Sequence, residues 1–414
     1  MARWSDYTTG ERIKILRGKS IRQSDLADMT GLSLPTVQQA EQDKRLTLQT
    51  LLRIADAIGV DTSVILGQQA PRRAMEQQDR TMMRDLSRAV HDTAAGLVPE
   101  GVEAAGLDEL RDITDRCWRL YWDGRYAEAG AIAAPFITSA AARLREQAAG
   151  EQSPAWGVMS DAYRLAGYVA NLMGNRDLAY AAIGQAQVAA ERGGDELRQA
   201  LVTSGRAWVY LRDARLADAL RLAEKSAVDI EPRFSKASKN ELVAFGSHVN
   251  FAAVVASRTG DKERTADYLS QSHATGARMG GEHQAHGTLF GPVSATTQAV
   301  GINLALGNTG KALTLMKSIQ DDDLSALSGA ATNRYQMDRA MAYADAKMWD
   351  ASLDVLEKAL TKDPEWGRHQ ALPGVIVQKI GKAGTARLRR VSELIGVAPT
   401  GANGSLPSAA RTAV

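Results

Sequence analysis

The sequence holds one cysteine, Cys117, among 414 residues. No internal disulfide can form, and no second thiol stands at metal-ligand spacing. Aromatics make up only 5%. Alternating Val/Ile/Thr runs bounded by turns are nearly missing, which argues against strands. No run of about 18 apolar residues occurs, so no membrane span is expected. The opening MARWSDYTTGERIK has no apolar core. That predicts no signal peptide and a cytoplasmic location. An excess of one charge sign is also lacking, since the net charge is only +2. Any nucleic-acid site must therefore be local. Phosphate-binding loops, dinucleotide glycines and a nucleophile elbow are absent, so neither enzyme chemistry nor a cofactor is expected. His283 and His286 lie beside Glu282, but no HExxH accompanies them and no further His or Cys is near. They read as polar loop residues, and no metal is expected. Asp321, Asp322 and Asp323 read as a solvated loop.

What is present is helix. Alanine, leucine, arginine, glutamine and glutamate dominate, and all favour helices. The length suggests two or three domains. Apolar residues first recur at helical spacing between about Thr8 and Gly67. Ile13 and Leu16 mark a first helix, and Leu26 and Ala27 a second. Val37 and Ala40 mark a third. Leu48 to Ile58 is a fourth, capped by Thr47 and ended by Gly59. A short fifth covers 61–66.

Residues 21–45, IRQSDLADMTGLSLPTVQQAEQDKR, place two short amphipathic runs around Gly31. Ser33 can cap the second run, and Pro35 falls in its first turn. Val37 and Ala40 face inward, leaving Leu34, Thr36, Gln38 and Gln39 outside. Glutamine pairs bidentately with adenine, and Lys44 and Arg45 suit phosphates. Taken alone, a Gln-Gln pair is more often solvated surface. The whole pattern, however, resembles the XRE, lambda-repressor-like helix-turn-helix family over about residues 10–67. That resemblance implies a DNA-binding fold in which Gln23, Ser33, Leu34, Thr36, Gln38, Gln39, Lys44 and Arg45 face an operator. It also implies an Arg17–Glu41 pair with a structural role. Three positions depart from the family: Arg22 stands where Ser or Thr usually caps, Leu34 replaces a polar residue, and Gln42-Asp43 replaces a glycine. Asp43 is expected near phosphate. Residues 1–73 carry a balance of +3, modest for one module, so a homodimer on a palindromic double-stranded operator is expected.

Residues 68–106 read as a linker with a connecting helix from Asp79 to Ala95. From 107 to 366 a helix–turn–helix unit recurs about six times. Its small-residue anchors are Ala129, Ala179, Ala219, Thr265, Ala312 and Ser352, spaced 40 to 50 residues apart. This is similar to the tetratricopeptide repeat (TPR), whose period is about 34 residues. The nearest matches are 162–190, with Tyr163, Gly167, Ala179 and Ala186, and 340–364, with Tyr343, Trp349, Ala359 and Pro364. The expected class is all-α: a four- or five-helix DNA-binding domain followed by a TPR-like α-solenoid. Capping helices are expected over 367–396 and a disordered tail over 397–414.

The first helix of each pair should line a concave face. That face would collect Trp118, Tyr121 and Trp122, then Arg164, Tyr168 and Asn171. Ser204, Trp208 and Arg212 follow, then Asn250, Ser257 and Arg258. Amides, arginines and aromatics suit a peptide or small-molecule effector. Each aromatic alone reads equally well as repeat core, while Asn171 and Asn250 are the stronger candidates. A helix-turn-helix joined to degenerate TPRs looks like the peptide-sensing, quorum-sensing regulators of Gram-positive bacteria, and is similar to actinomycete XRE–TPR regulators. The resemblance implies a transcriptional regulator whose repeat domain dimerises and senses an effector. Residues 282–300 are expected to contribute to the ligand site. The alternative is a TPR scaffold for protein partners without a small ligand.

Overall fold

The computed structural model describes residues 4, 7–18, 20–67, 77–146, 150–381 and 386–395. The start of the expected linker, 68–76, and the expected tail, 397–414, lie outside the described residues.

Five helices open the chain: α1 Thr9–Arg17, α2 Gln23–Thr30, α3 Leu34–Glu41, α4 Leu48–Ile58 and α5 Thr62–Leu66. Their ends follow local chemistry. Thr8 and Glu11 form a reciprocal capping box on α1. Ser33 Oγ accepts from the Thr36 amide at 3.3 Å, and Thr47 Oγ1 accepts from the Thr50 amide at 3.1 Å. Gly31 closes α2 with φ 62°, a left-handed conformation that side chains other than glycine rarely adopt. Arg22 caps nothing itself; instead the Asp25 carboxylate accepts from the Arg22 amide at 2.8 Å. Ile13, Leu26, Val37, Leu51 and Ile54 are all fully buried. Each contributes about 1.5–3 kcal/mol on burial.

The expected connecting helix is α6, Gln77–Ala94. It is more than a connector. Met82, Met83, Leu86 and Val90 are buried in one apolar cluster with the helices that follow.

Six helical hairpins then succeed one another. They are α7 Leu107–Trp122 with α8 Tyr126–Glu146, α9 Gln152–Leu172 with α10 Arg176–Gly193, and α11 Glu196–Arg212 with α12 Leu216–Asp229. Next come α13 Lys239–Thr259 with α14 Lys262–Met279, α15 Pro292–Ala305 with α16 Thr309–Ser318, and α17 Gly329–Asp345 with α18 Trp349–Lys362. Ala129, Ala179, Ala219, Thr265, Ala312 and Ser352 are each 0% exposed. A small residue at that point lets the second helix lie close against the first.

Between α14 and α15 the chain makes a two-stranded antiparallel hairpin, β1 His283–Ala285 and β2 Thr288–Phe290. The sequence pattern does not announce it. The chain continues through α19 Pro364–Arg368, α20 Ala371–Ile380 and α21 Ala386–Leu394. α21 packs on α18, as a cap does. α20 does something else: it lies between α17 and the N-terminal unit, touching α4 and α5. Val375 of α20 and Ala214, in the α11–α12 turn, join the same apolar cluster as Leu26, Val37 and Leu51. Among the described residues, no helix is long and apolar enough to cross a membrane.

Candidate nucleic-acid interface and sensor groove

The α2–α3 pair carries the first candidate surface. Glu41, at the end of α3, has a fully buried side chain. Its Oε1 accepts from Arg17 Nε at 2.6 Å and its Oε2 from Gln23 Nε2 at 2.6 Å. This buried triad fixes the angle between α1, α2 and α3. Gln23 is half-buried, and one N–H of its amide serves Glu41, leaving the second N–H and the carbonyl for another partner. Ser33 and Thr36 are likewise engaged with each other, Oγ to Oγ1 at 2.8 Å, at the start of α3. Leu34, Gln39, Lys44 and Arg45 are exposed, and Gln38 is half-buried.

Asp43 departs from expectation. It has φ 54° and turns back from the expected phosphate side. Its carboxylate accepts from Thr8 Oγ1 at 2.6 Å, the Gly10 amide at 2.8 Å and Gln378 Nε2 at 3.2 Å. The free amides at the N-terminus of α1 need an acceptor, and a carboxylate there also meets the positive end of the helix dipole.

The α4–α5 side of the domain is held by the rest of the chain. Asp61, at the start of α5, pairs with Arg176, at the start of α10, and both side chains are largely buried. Arg176 in turn donates to Asn171 Oδ1. Burial lowers the Arg176 pKa to about 9, and neighbouring Arg212 pushes the same way.

A family model described as helix-turn-helix matches residues 13–65. The N-terminal unit is an XRE-type helix-turn-helix domain. That domain supports a DNA-binding transcriptional regulator. None of the curated proteins compared with the chain matches it.

The second candidate site lies among α7, α9 and α11, where Trp118 and Tyr121 are part of the buried repeat core and Trp122, Tyr168 and Trp208 are half-buried against it. Trp118, Tyr121, Trp122, Tyr168 and Trp208 form one continuous aromatic cluster. Ring centroids are 5.4 Å apart for Trp118–Tyr168, 5.0 Å for Tyr121–Trp122 and 5.0 Å for Tyr168–Trp208. Arg164 lies over Trp118 at 4.6 Å and Arg212 over Trp208 at 5.9 Å. Ser204 is half-buried on the same helix as Trp208. Arg212 also donates to the His369 carbonyl at 3.4 Å, just ahead of α20. The cluster thus reaches the element on which the helix-turn-helix domain rests.

Four expected groove residues stand elsewhere. Asn171 is buried under Arg176, between α9 and α10. Asn250 accepts from Ser272 Oγ at 3.2 Å, across the α13–α14 pair. Arg258 is half-buried near Asp338 and Arg334 of α17, where burial lowers its pKa to about 10. Ser257 donates to Val254 O at 2.7 Å within its own helix. A buried amide is tolerated where its hydrogen bonds are met, so polarity alone did not mark the groove.

Glu282 caps α15, accepting from the Val293 and Ser294 amides at 2.9 and 3.1 Å. His283 Nε2 lies 3.1 Å from Asn240 Oδ1. Among the described residues, no group of three or more His, Cys, Asp or Glu is arranged to hold a metal ion. A cleft of about 560 Å³ between α6 and α8, near Met82, Gly130 and Pro135, shares no residue with the aromatic cluster.

Proposed function

We propose that the protein is a sequence-specific transcriptional regulator that binds a palindromic operator as a homodimer, and that its TPR-like repeat domain senses a peptide effector. One observation carries the reading. Gln39, Lys44 and Arg45 at α3 are exposed and Gln38 is half-buried, while α4 and α5 are seated on α20 and the apolar cluster takes in Ala214 of the α11–α12 turn. In a helix-turn-helix, the second helix enters the major groove, so the open face is the one DNA needs. The seat ties that face to the sensor. Arg212 spans from the aromatic cluster to His369, and α20 begins two residues later. A ligand that moves Arg212 shifts α20, and with it the angle between the two reading heads of a dimer.

The test is selection of bound sequences from a random duplex pool at physiological salt. A palindrome with half-sites one helical turn apart, or a multiple, is expected. On that site Gln38→Ala should cost about 1–3 kcal/mol at one base pair and leave the others unchanged. Lys44→Ala should weaken all duplexes alike and reduce the salt slope by about 1. Equal, sequence-independent losses from both substitutions would refute the reading role of Gln38. No enriched motif at all would refute the operator.

A further inference from the structure

The β1–β2 hairpin ends in a two-residue tip, His286-Gly287, with φ 46° and 71°. Both residues are left-handed, as tight hairpin turns require. The tip lies far along the chain from α7 and α9, yet it sits on them. The His286 carbonyl accepts from Arg164 Nη2. The Gly287 carbonyl accepts from Trp122 Nε1 at 2.7 Å. Gly287 is pressed so close to Trp118 that a Cβ there would fall 2.6 Å from the indole. The His286 imidazole lies 3.8 Å from the Asp195 carboxylate. A segment of backbone, read through two successive carbonyls, already occupies the aromatic cluster.

The fit is incomplete. Arg164 is 0% exposed, but its Nε and Nη1 make no hydrogen bond. Trp118 Nε1, also buried, makes none. The Asp161 carboxylate faces Arg164, with Oδ1 3.6 Å from Nη2, but meets neither Nε nor Nη1; buried donors are normally met, so these three describe a site with room for acceptors beyond those of the tip. A carboxylate or a further carbonyl would supply them.

We propose that the hairpin tip is a tethered stand-in for the effector. The free ligand is then a peptide turn that presents successive carbonyls to Arg164 and Trp122, with a glycine over Trp118. This deepens the reading of the repeat domain as a peptide sensor and rests on it. Binding requires the tip to leave, and the tip competes at the high effective concentration of a tethered group. Departure of the tip also frees β1 and β2, and with them the start of α15.

The test uses the full chain and a fluorescent peptide of the tip sequence, EHQAHGTLF. In Gly287→Val, the new side chain collides with Trp118 and expels the tip. The variant should bind the peptide at least tenfold more tightly than the natural chain. A control peptide with valine in place of its glycine should bind neither. Equal affinity for both chains, no binding to the folded variant, or equal binding of the control peptide would each overturn the proposal. Should Gly287→Val fail to fold, the natural chain decides the matter. At millimolar peptide, amide hydrogen exchange over 283–290 should rise, and no rise would overturn the proposal. Operator affinity separates the two readings. Peptide capture with unchanged DNA affinity would keep the groove assignment and remove the effector role. DNA binding without capture would overturn the groove assignment and leave the operator reading standing.

Discussion

Replacing Arg17 by methionine isolates the charge that holds the helix-turn-helix together. The Glu41 side chain is 0% exposed and that of Arg17 only 16%. Without the guanidinium, the Glu41 carboxylate keeps a single partner, Gln23 Nε2 at 2.6 Å. Breaking a buried pair from one side costs about 3–5 kcal/mol, because a buried charge is left uncompensated. A unit of this size has roughly 3–9 kcal/mol of stability in total, at about 0.05–0.15 kcal/mol per residue. The substitution therefore removes from about a third to all of what the domain has. Trp4 supplies the reporter, since its Nε1 donates to Val64 O at 2.8 Å within this unit. Fluorotryptophan labelling, read at the Trp4 resonance through a urea titration, follows this domain apart from the repeats. Arg17→Met and Glu41→Leu should each lose about 3–5 kcal/mol, while the double substitution should lose little. A single loss below about 1 kcal/mol, the level of an exposed pair, would refute the argument.

Three further outcomes are expected. Val375→Asp places a carboxylate in the apolar cluster shared with Leu26 and Val37. Calorimetry should then resolve two transitions in place of one, and a single transition would show that the domain does not depend on α20. Asp61→Ala leaves Arg176 buried without its partner, so operator affinity should become insensitive to any effector while the isolated contacts of α3 persist; retained effector response would contradict this. The third concerns pH. Burial, then Arg212, lowers the His369 pKa from 6.5 to about 4, so the folded state holds it neutral. Its contribution is therefore complete above pH 6.5 and is lost as pH falls toward 4, by up to about 3 kcal/mol. His369→Gln should flatten that part of the stability–pH curve, and an unchanged slope would refute the assignment.

The parts of the fold that are legible in the sequence are those encoded locally. Ser33, Thr47, Gly31 and Gly59 act on their own helix ends, so their positions alone mark the boundaries. The repeat anchors are legible because tight helix pairing admits only small residues at one recurring position. The hairpin is not, because three-residue strands fall below the length at which alternation can be recognised. Asp43 was misplaced because family position stood in for geometry. A left-handed backbone turns its carboxylate toward α1, and the partner that completes it, Gln378, is more than 300 residues away. Asn171 and Asn250 read as groove residues because amides rarely suit a core. Each has a specific buried partner, and pairwise contacts of that kind leave no periodic trace. The docking of α20 was invisible for the same reason: its apolar residues read as a cap for the repeats and carry no mark of the domain they touch.

The seat on α20 has a consequence for how the chain is made. The helix-turn-helix leaves the ribosome first, but the helix it rests on ends at Ile380. At about 5–20 residues per second, roughly 15–60 s separate the two. During that interval the DNA-reading head exists without α20, and its links to the repeats are those of Asp61 with Arg176 and of its apolar cluster with Ala214. A chain cut short before α20 would remain in that state permanently, with its reading face presented but the apolar cluster missing Val375.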